Sequence, residues 1–253
     1  MRRVLTSLLG VALLAYLAAC AALFLFQRQL LYFPQPARVS TPLLQVEGRA
    51  GVVASHRTLA SPQAVVYLGG NGEDVSQSLA PLVQAFPAHA IHLLHYRGYG
   101  QSAGKPTEAD IAQDALALFD QVQRQHPQIT VIGRSLGTGV AVRLASQRAV
   151  ARLVLITPYD SIEDIAAAQF RLFPVRLLLV DKYASWRYAA EVKAPTVLLA
   201  AEHDEVIPMA STEKLLTRFA PGRATLHTVR GTGHNDISLA PGYAALLAGE
   251  GPR

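Results

Sequence analysis

A single cysteine, Cys20, stands in 253 residues, so no intrachain disulfide can form and no thiolate set is there to hold a metal. Charge is scarce as well: 16% of residues are Asp, Glu, Lys or Arg against 51% hydrophobic, the opposite of a disordered composition. The formal charge is +5, yet apart from Arg2-Arg3 the Arg and Lys residues occur singly, without the clustered footprint that phosphate backbones require, so no nucleic-acid partner is expected. There is no low-complexity tract and no repeat at a fixed period, which excludes solenoids. No dinucleotide or P-loop signature and no metal-ligand spacing occurs, so neither cofactor nor metal is expected.

One further absence is local. Residues 4–26 carry no charge, and as a helix at about 1.5 Å per residue they would reach across the roughly 30 Å of a bilayer's hydrocarbon core. Arg2 and Arg3 precede this run; Gln27, Arg28, Tyr32 and Phe33 follow, an interfacial exit that Pro34 and Pro36 end. The reading is an uncleaved single-pass anchor and exit linker over 1–36, with the N-terminus cytoplasmic and the remainder, 37–253, extracytoplasmic or periplasmic. Two alternatives stay open: a lipoprotein lipidated at Cys20 in Leu17-Ala18-Ala19-Cys20, and a cleaved secretory signal.

Beyond the anchor, apolar runs at 64–68, 91–95, 129–132, 153–156, 196–200 and 224–229 read as buried strands. Segments of helical spacing lie between them, such as 111–123, where Ile111, Ala115, Leu118, Phe119 and Val122 share a face. Strands apolar throughout imply burial on both faces, hence a mostly parallel sheet flanked by helices, an α/β architecture with its chemistry at the strands' carboxyl ends.

Gly133-Arg134-Ser135-Leu136-Gly137 follows one such strand and opens a small-residue helix at 138–145. That is the setting of a nucleophile elbow, a sharp turn that presents Ser135 and needs glycine two residues to either side. A serine hydroxyl needs a base, and His234 in Gly231-Thr232-Gly233-His234-Asn235-Asp236 follows the last strand, where the order Ser, acid, His places it. His95 is the competing base, while His126 and His227 suit structural roles. For the acid, Asp204 follows the strand at 196–200, with Glu202 and Glu205 as near rivals and Asp160, after the preceding strand, as the alternative position. Oxyanion donors are expected from the backbone N–H of Leu136 and, in Gly69-Gly70-Asn71-Gly72, from Asn71. Arg134 is read either as a surface group or as a contact for an anionic substrate.

Gly70-Asn71-Gly72-Glu73-Asp74, Tyr96-Arg97-Gly98-Tyr99-Gly100-Gln101-Ser102, the Ser135 elbow and Glu202-His203-Asp204-Glu205-Val206-Ile207-Pro208 occur in order along almost the whole chain. Together they resemble a membrane-anchored, serine aminopeptidase-like branch of the α/β-hydrolases, whose anchor ends in a stretch similar to Gln27 through Pro34. The pattern is also similar to that of depalmitoylating hydrolases, which implies thioester or lipid-ester substrates. The oxyanion loop departs from it, reading Gly-Gly-Asn where many relatives have His-Gly-Asn. Residues 160–187, with Phe170, Leu172, Phe173, Leu177, Leu178, Leu179 and Val180, read either as a small lid favouring an acyl-bearing substrate or as a helix packed on the sheet. Three functions therefore stand: hydrolysis of a carboxylic ester or thioester; cleavage of an amide as an aminopeptidase, which would need an acidic anchor for the amine; and a non-catalytic scaffold, which would be free to lose one of Ser135, Asp204 and His234.

Overall fold

The computed structural model describes residues 2–249. Eight strands form one sheet: β1 (Leu43–Gln45), β2 (Val53–Arg57), β3 (Gln63–Leu68), β4 (Ala90–Leu94), β5 (Gln128–Arg134), β6 (Arg152–Ile156), β7 (Thr196–Ala201) and β8 (Ala224–Val229). Their spatial order is β1-β2-β4-β3-β5-β6-β7-β8. The first two pair antiparallel and the other six run parallel. The six apolar runs thus correspond to the six parallel strands. The edge strand β8 departs from the expected burial: it pairs with β7 on one side, stands at the end of the sheet on the other, and buries Val229 alone among its residues. No apolar run announced β1 or β2; β2 carries Ser55, His56 and Arg57, and it forms because β4 offers it an antiparallel edge.

Helices cover both faces. Alternation along β3 sends Ala64, Val66 and Leu68 into a core shared with α3 (Glu108–Gln123) and α4 (Leu136–Gln147). Val65 and Tyr67 point the other way, toward α2 (Leu79–Ala85) and α8 (Tyr243–Ala248). Helix α3 starts where Thr107 accepts from the Asp110 N–H at 3.0 Å, and it buries the predicted face from Ile111 to Val122.

Helix α1 (Arg2–Leu31) contains a stretch long and apolar enough to cross a membrane, with none of that stretch buried in the protein. Its end does not swing free. Tyr32 is buried in the core, and its hydroxyl meets Asp181 at 3.1 Å and Tyr183 at 2.9 Å, while Arg28 pairs with Asp181 at 2.9 Å. Between β6 and β7 come α5 (Ile162–Gln169) and α6 (Val175–Leu178), which pack on each other, with α6 also lying against α1; α7 (Met209–Leu216) precedes β8.

Candidate active site

Ser135, Asn71, Asp204 and His234 all lie just past carboxyl ends of parallel strands: β5, β3, β7 and β8 in turn. Ser135 sits at φ 47°, ψ −118° between β5 and α4, a conformation costing on the order of 1–3 kcal/mol. Its N–H donates to the Ile156 carbonyl at 2.8 Å, and its carbonyl accepts from Thr138 N–H at 2.9 Å and Thr138 Oγ1 at 2.7 Å, which fix the turn. The flanking glycines have steric reasons. A Cβ on Gly133 would lie 2.6 Å from the Gly137 carbonyl oxygen, and one on Gly137 would overlap the backbone oxygens of Leu68 and Gly69.

The histidine arrives on a loop stitched to its neighbour. Gly231 N–H donates to Glu202 at 2.7 Å, His203 N–H to the Thr232 carbonyl at 2.8 Å, and Gly233 N–H to Asp236 at 2.6 Å. His234 is buried, with Nε2 2.9 Å from Ser135 Oγ and Nδ1 2.9 Å from Asp204 Oδ2. The other oxygen of Asp204 accepts from the Val206 and Ile207 N–H groups at 2.9 and 2.7 Å. Burial pushes the Asp204 carboxyl up, but the His234 contact and those two amides outweigh it and hold its pKa below the ordinary value. An ionised Asp204 requires Nδ1 to carry the ring proton, so Nε2 presents its lone pair to the serine hydroxyl.

The rival residues make other contacts, and Glu205 lies against Gly233 of the His234 loop. Asp160 is buried beside Lys214 at 2.8 Å and Arg218 at 3.4 Å. Glu202 is engaged by Gly231. His95 bonds Ser55 through Nε2 at 2.7 Å and accepts from Gln101 N–H through Nδ1 at 3.3 Å; His126 Nδ1 bonds the Ser61 carbonyl at 2.7 Å.

The β3 loop abuts Ser135: a Cβ on Gly70 would stand 3.6 Å from the serine Cβ. Its shape depends on Glu73, to which the sequence reading assigned no role. Glu73 accepts from Gly70 N–H at 2.9 Å, Tyr67 at 2.8 Å and Ser78 at 2.7 Å. Arg134 lies 3.5 Å from Glu73 and 3.3 Å from the Asn235 carbonyl, so it braces this loop instead of standing free on the surface. Asn71 donates its side-chain amide to the Leu31 carbonyl at 3.0 Å, while its own carbonyl accepts from Phe33 N–H at 3.0 Å. The end of α1 is thereby tied to the loop beside the serine, a link that no local sequence signal carries.

Two cavities meet here. One of about 270 Å³ contains Ser135, His234, Gly70, Asn71, Arg134 and Val206. The other, about 360 Å³ and apolar, lies between α1 and the α5–α6 segment. They share Asn71 and Val206.

A central, mostly parallel sheet with a strained serine on the turn after its fifth strand defines an α/β hydrolase, and the chain belongs to the α/β hydrolase fold family, which it matches over residues 63–179. An uncharacterized protein of Mycobacterium tuberculosis, Rv2307c, is 34% identical over 94% of this chain and 92% of its own length. The lysophosphatidylserine lipase ABHD12 of Macaca fascicularis is 30% identical over 75% of this chain, which spans 56% of that lipase. Among solved structures, the monoacylglycerol lipase of Paleococcus ferrophilus superimposes with a TM-score of 0.59, covering 79% of this chain and 99% of the lipase; at 17% identity it speaks to the fold alone.

Proposed function

We propose that the chain is a single-pass membrane serine hydrolase that cleaves a carboxylic ester or thioester of an acyl-bearing substrate. The observation that carries this reading is the bridging position of His234, within hydrogen-bond reach of both Ser135 and Asp204. In the reaction, Ser135 Oγ attacks the acyl carbon as its proton passes to His234 Nε2. The oxyanion so formed lies toward the backbone N–H groups of Leu136 and Asn71, neither of which donates to another described backbone group. The intermediate collapses, Nε2–H protonates the departing alkoxide or thiolate, and an ester on Ser135 remains. Water then attacks that ester, giving its proton to Nε2, and the acid leaves as Ser135 is reprotonated.

An acyl substrate is favoured by the apolar cavity joined to Ser135 and by a relative that is by name a lipase for lysophosphatidylserine. The peptidase reading is weaker. Glu73 is the one carboxylate lining the nucleophile's cavity among the described residues, and Gly70, Tyr67, Ser78 and Arg134 already engage it. Residues 1–36 serve as anchor and linker and 37–253 as the catalytic part, with Arg2 and Arg3 keeping the N-terminus cytoplasmic. The apolar run continues past Cys20 through Ala21, Ala22, Leu23, Phe24, Leu25 and Phe26, where a processed chain would emerge into a polar tether, and this supports an uncleaved anchor over lipidation there.

The test is labelling of detergent-solubilised protein with a fluorophosphonate. Wild type takes up one label and hydrolyses simple acyl esters, whereas Ser135→Ala does neither. A Ser135→Ala variant still labelled and active, or a folded wild type inert to both probe and ester, would overturn the proposal.

A further inference from the structure

The apolar run of α1 is longer than the part of the helix that stands clear of the body. Tyr16 already touches the lid formed by α5, α6 and the turn between them: its ring stacks on Phe173 at 5.8 Å and its hydroxyl donates to the Leu172 carbonyl at 3.0 Å. Eleven residues on, the Gln27 side chain clamps the lid's far end, donating to the Leu178 carbonyl at 3.1 Å and accepting from Val180 N–H at 2.7 Å. The free part, from Val4 to Ala15, is about 18 Å long, well short of the roughly 30 Å hydrocarbon core. Crossing that core takes about 20 residues, so a span that begins at Val4 ends near Leu23. Residues 16–23 are then in hydrocarbon and alongside the lid at once.

The geometry points to a lid sunk into the bilayer leaflet, with the inner face of α1 forming one wall of an acyl-chain groove that opens into the hydrocarbon. This inference rests on the hydrolase reading above and adds the source of its substrate, a lipid drawn sideways from the leaflet. Leu172 and Leu177, 84% and 85% exposed to water if the protein were in solution, become lipid-facing. Arg176 reaches Asp164 at 2.7 Å, and Arg171 donates to the Ala168 carbonyl at 3.1 Å, so each guanidinium in this segment has a partner. The groove is walled by Leu23, Leu30 and Leu31 of α1 on one side and by Ile165, Ala166 and Phe173 on the other. It ends at Asn71 and Val206 beside Ser135, so a chain lying in it brings its carboxyl carbon to the nucleophile. The buried Asp181 carboxylate, held by Arg28 and Tyr32, keeps the wall in register with the lid.

Two measurements on the full chain test this. The first uses monomeric esters from acetyl to octanoyl, for which each methylene moved from water into the groove raises kcat/KM about fourfold. Leu23→Trp, which fills the groove from the α1 side, is expected to cut the octanoyl-to-acetyl ratio at least tenfold, whereas Leu25→Trp, on the outer face of the same helix, keeps the wild-type ratio. A wild type labelled by fluorophosphonate yet indifferent to chain length, or a Leu23→Trp profile like that of wild type, would overturn the groove and leave the hydrolase intact. Absence of labelling would instead count against the hydrolase itself. The second measurement places an environment-sensitive fluorophore at Leu172→Cys in a Cys20→Ser background, in phosphatidylcholine vesicles. Emission shifted to the blue and quenched by acyl-chain nitroxides is expected; emission matching that of a fluorophore at Thr225→Cys on the β8 edge would refute immersion.

Discussion

Replacing Asp204 by asparagine changes one atom and should disable the imidazole without moving it. Oδ1 of Asp204 accepts two backbone N–H groups, from Val206 and Ile207, so an amide there must place its oxygen in that position. Its NH2 then takes the place of Oδ2, 2.9 Å from His234 Nδ1. A donor facing Nδ1 at the shorter distance favours an unprotonated Nδ1 over an Nδ1–H turned to the retained oxygen at 3.0 Å, which moves the ring proton to Nε2, the atom 2.9 Å from Ser135 Oγ proposed to accept the hydroxyl proton. The wrong tautomer costs a Ser-His-Asp triad about 10⁴ in kcat, or roughly 5.5 kcal/mol of transition-state stabilisation. Asp160→Asn is the matched control. It weakens ion pairs to Lys214 and Arg218, each more than two-fifths exposed, and should cost about 1 kcal/mol and about 2–4 °C in Tm while leaving kcat/KM near wild type. The assay is hydrolysis of a soluble butyryl ester by detergent-solubilised protein, with thermal melts alongside. An Asp204→Asn protein with more than a tenth of wild-type turnover, or an Asp160→Asn protein that melts normally but has lost turnover a hundredfold, would refute the assignment of the acid.

Other consequences can be checked in the same preparation. Gly137→Ala drives a methyl into the Leu68 and Gly69 carbonyl oxygens, backbone that cannot step aside, so a loss of about 3 kcal/mol in stability is expected by urea unfolding, together with loss of fluorophosphonate labelling. Glu73→Gln puts an NH2 where both oxygens now accept, loosening the Gly70 loop; kcat should fall about tenfold with KM little changed, read from steady-state kinetics. The Asp204 pKa is lowered on folding, so its contribution to stability is present above the unfolded value of about 3.9 and is lost as pH falls through the lower folded value. Equilibrium unfolding below pH 4 should therefore show a smaller acid-induced loss in Asp204→Asn than in wild type.

Much of this was legible in the residues themselves because the demands were local. Parallel strands buried on both faces must be apolar along their length, and the six runs declared themselves. The elbow needs glycine where any Cβ would strike backbone, so Gly133 and Gly137 pointed to Ser135 before any coordinates did. What the chain order left open was partnership. Asp160 and Asp204 both follow strands, and only the sheet order, which sets β7 between β6 and β8, brings the β7 loop against the loop carrying His234. The short strands β1 and β2 were invisible because their stability comes from pairing with β4 and not from their own composition. Likewise the apolar α1 read as a span from its lack of charge, but that Gln27, Arg28 and Tyr32 lock it to the segment between β6 and β7 depends on residues about 150 positions away. Local sterics and solvation are written into neighbouring residues; which distant groups meet depends on how the whole sheet closes, and tertiary structure alone decides it.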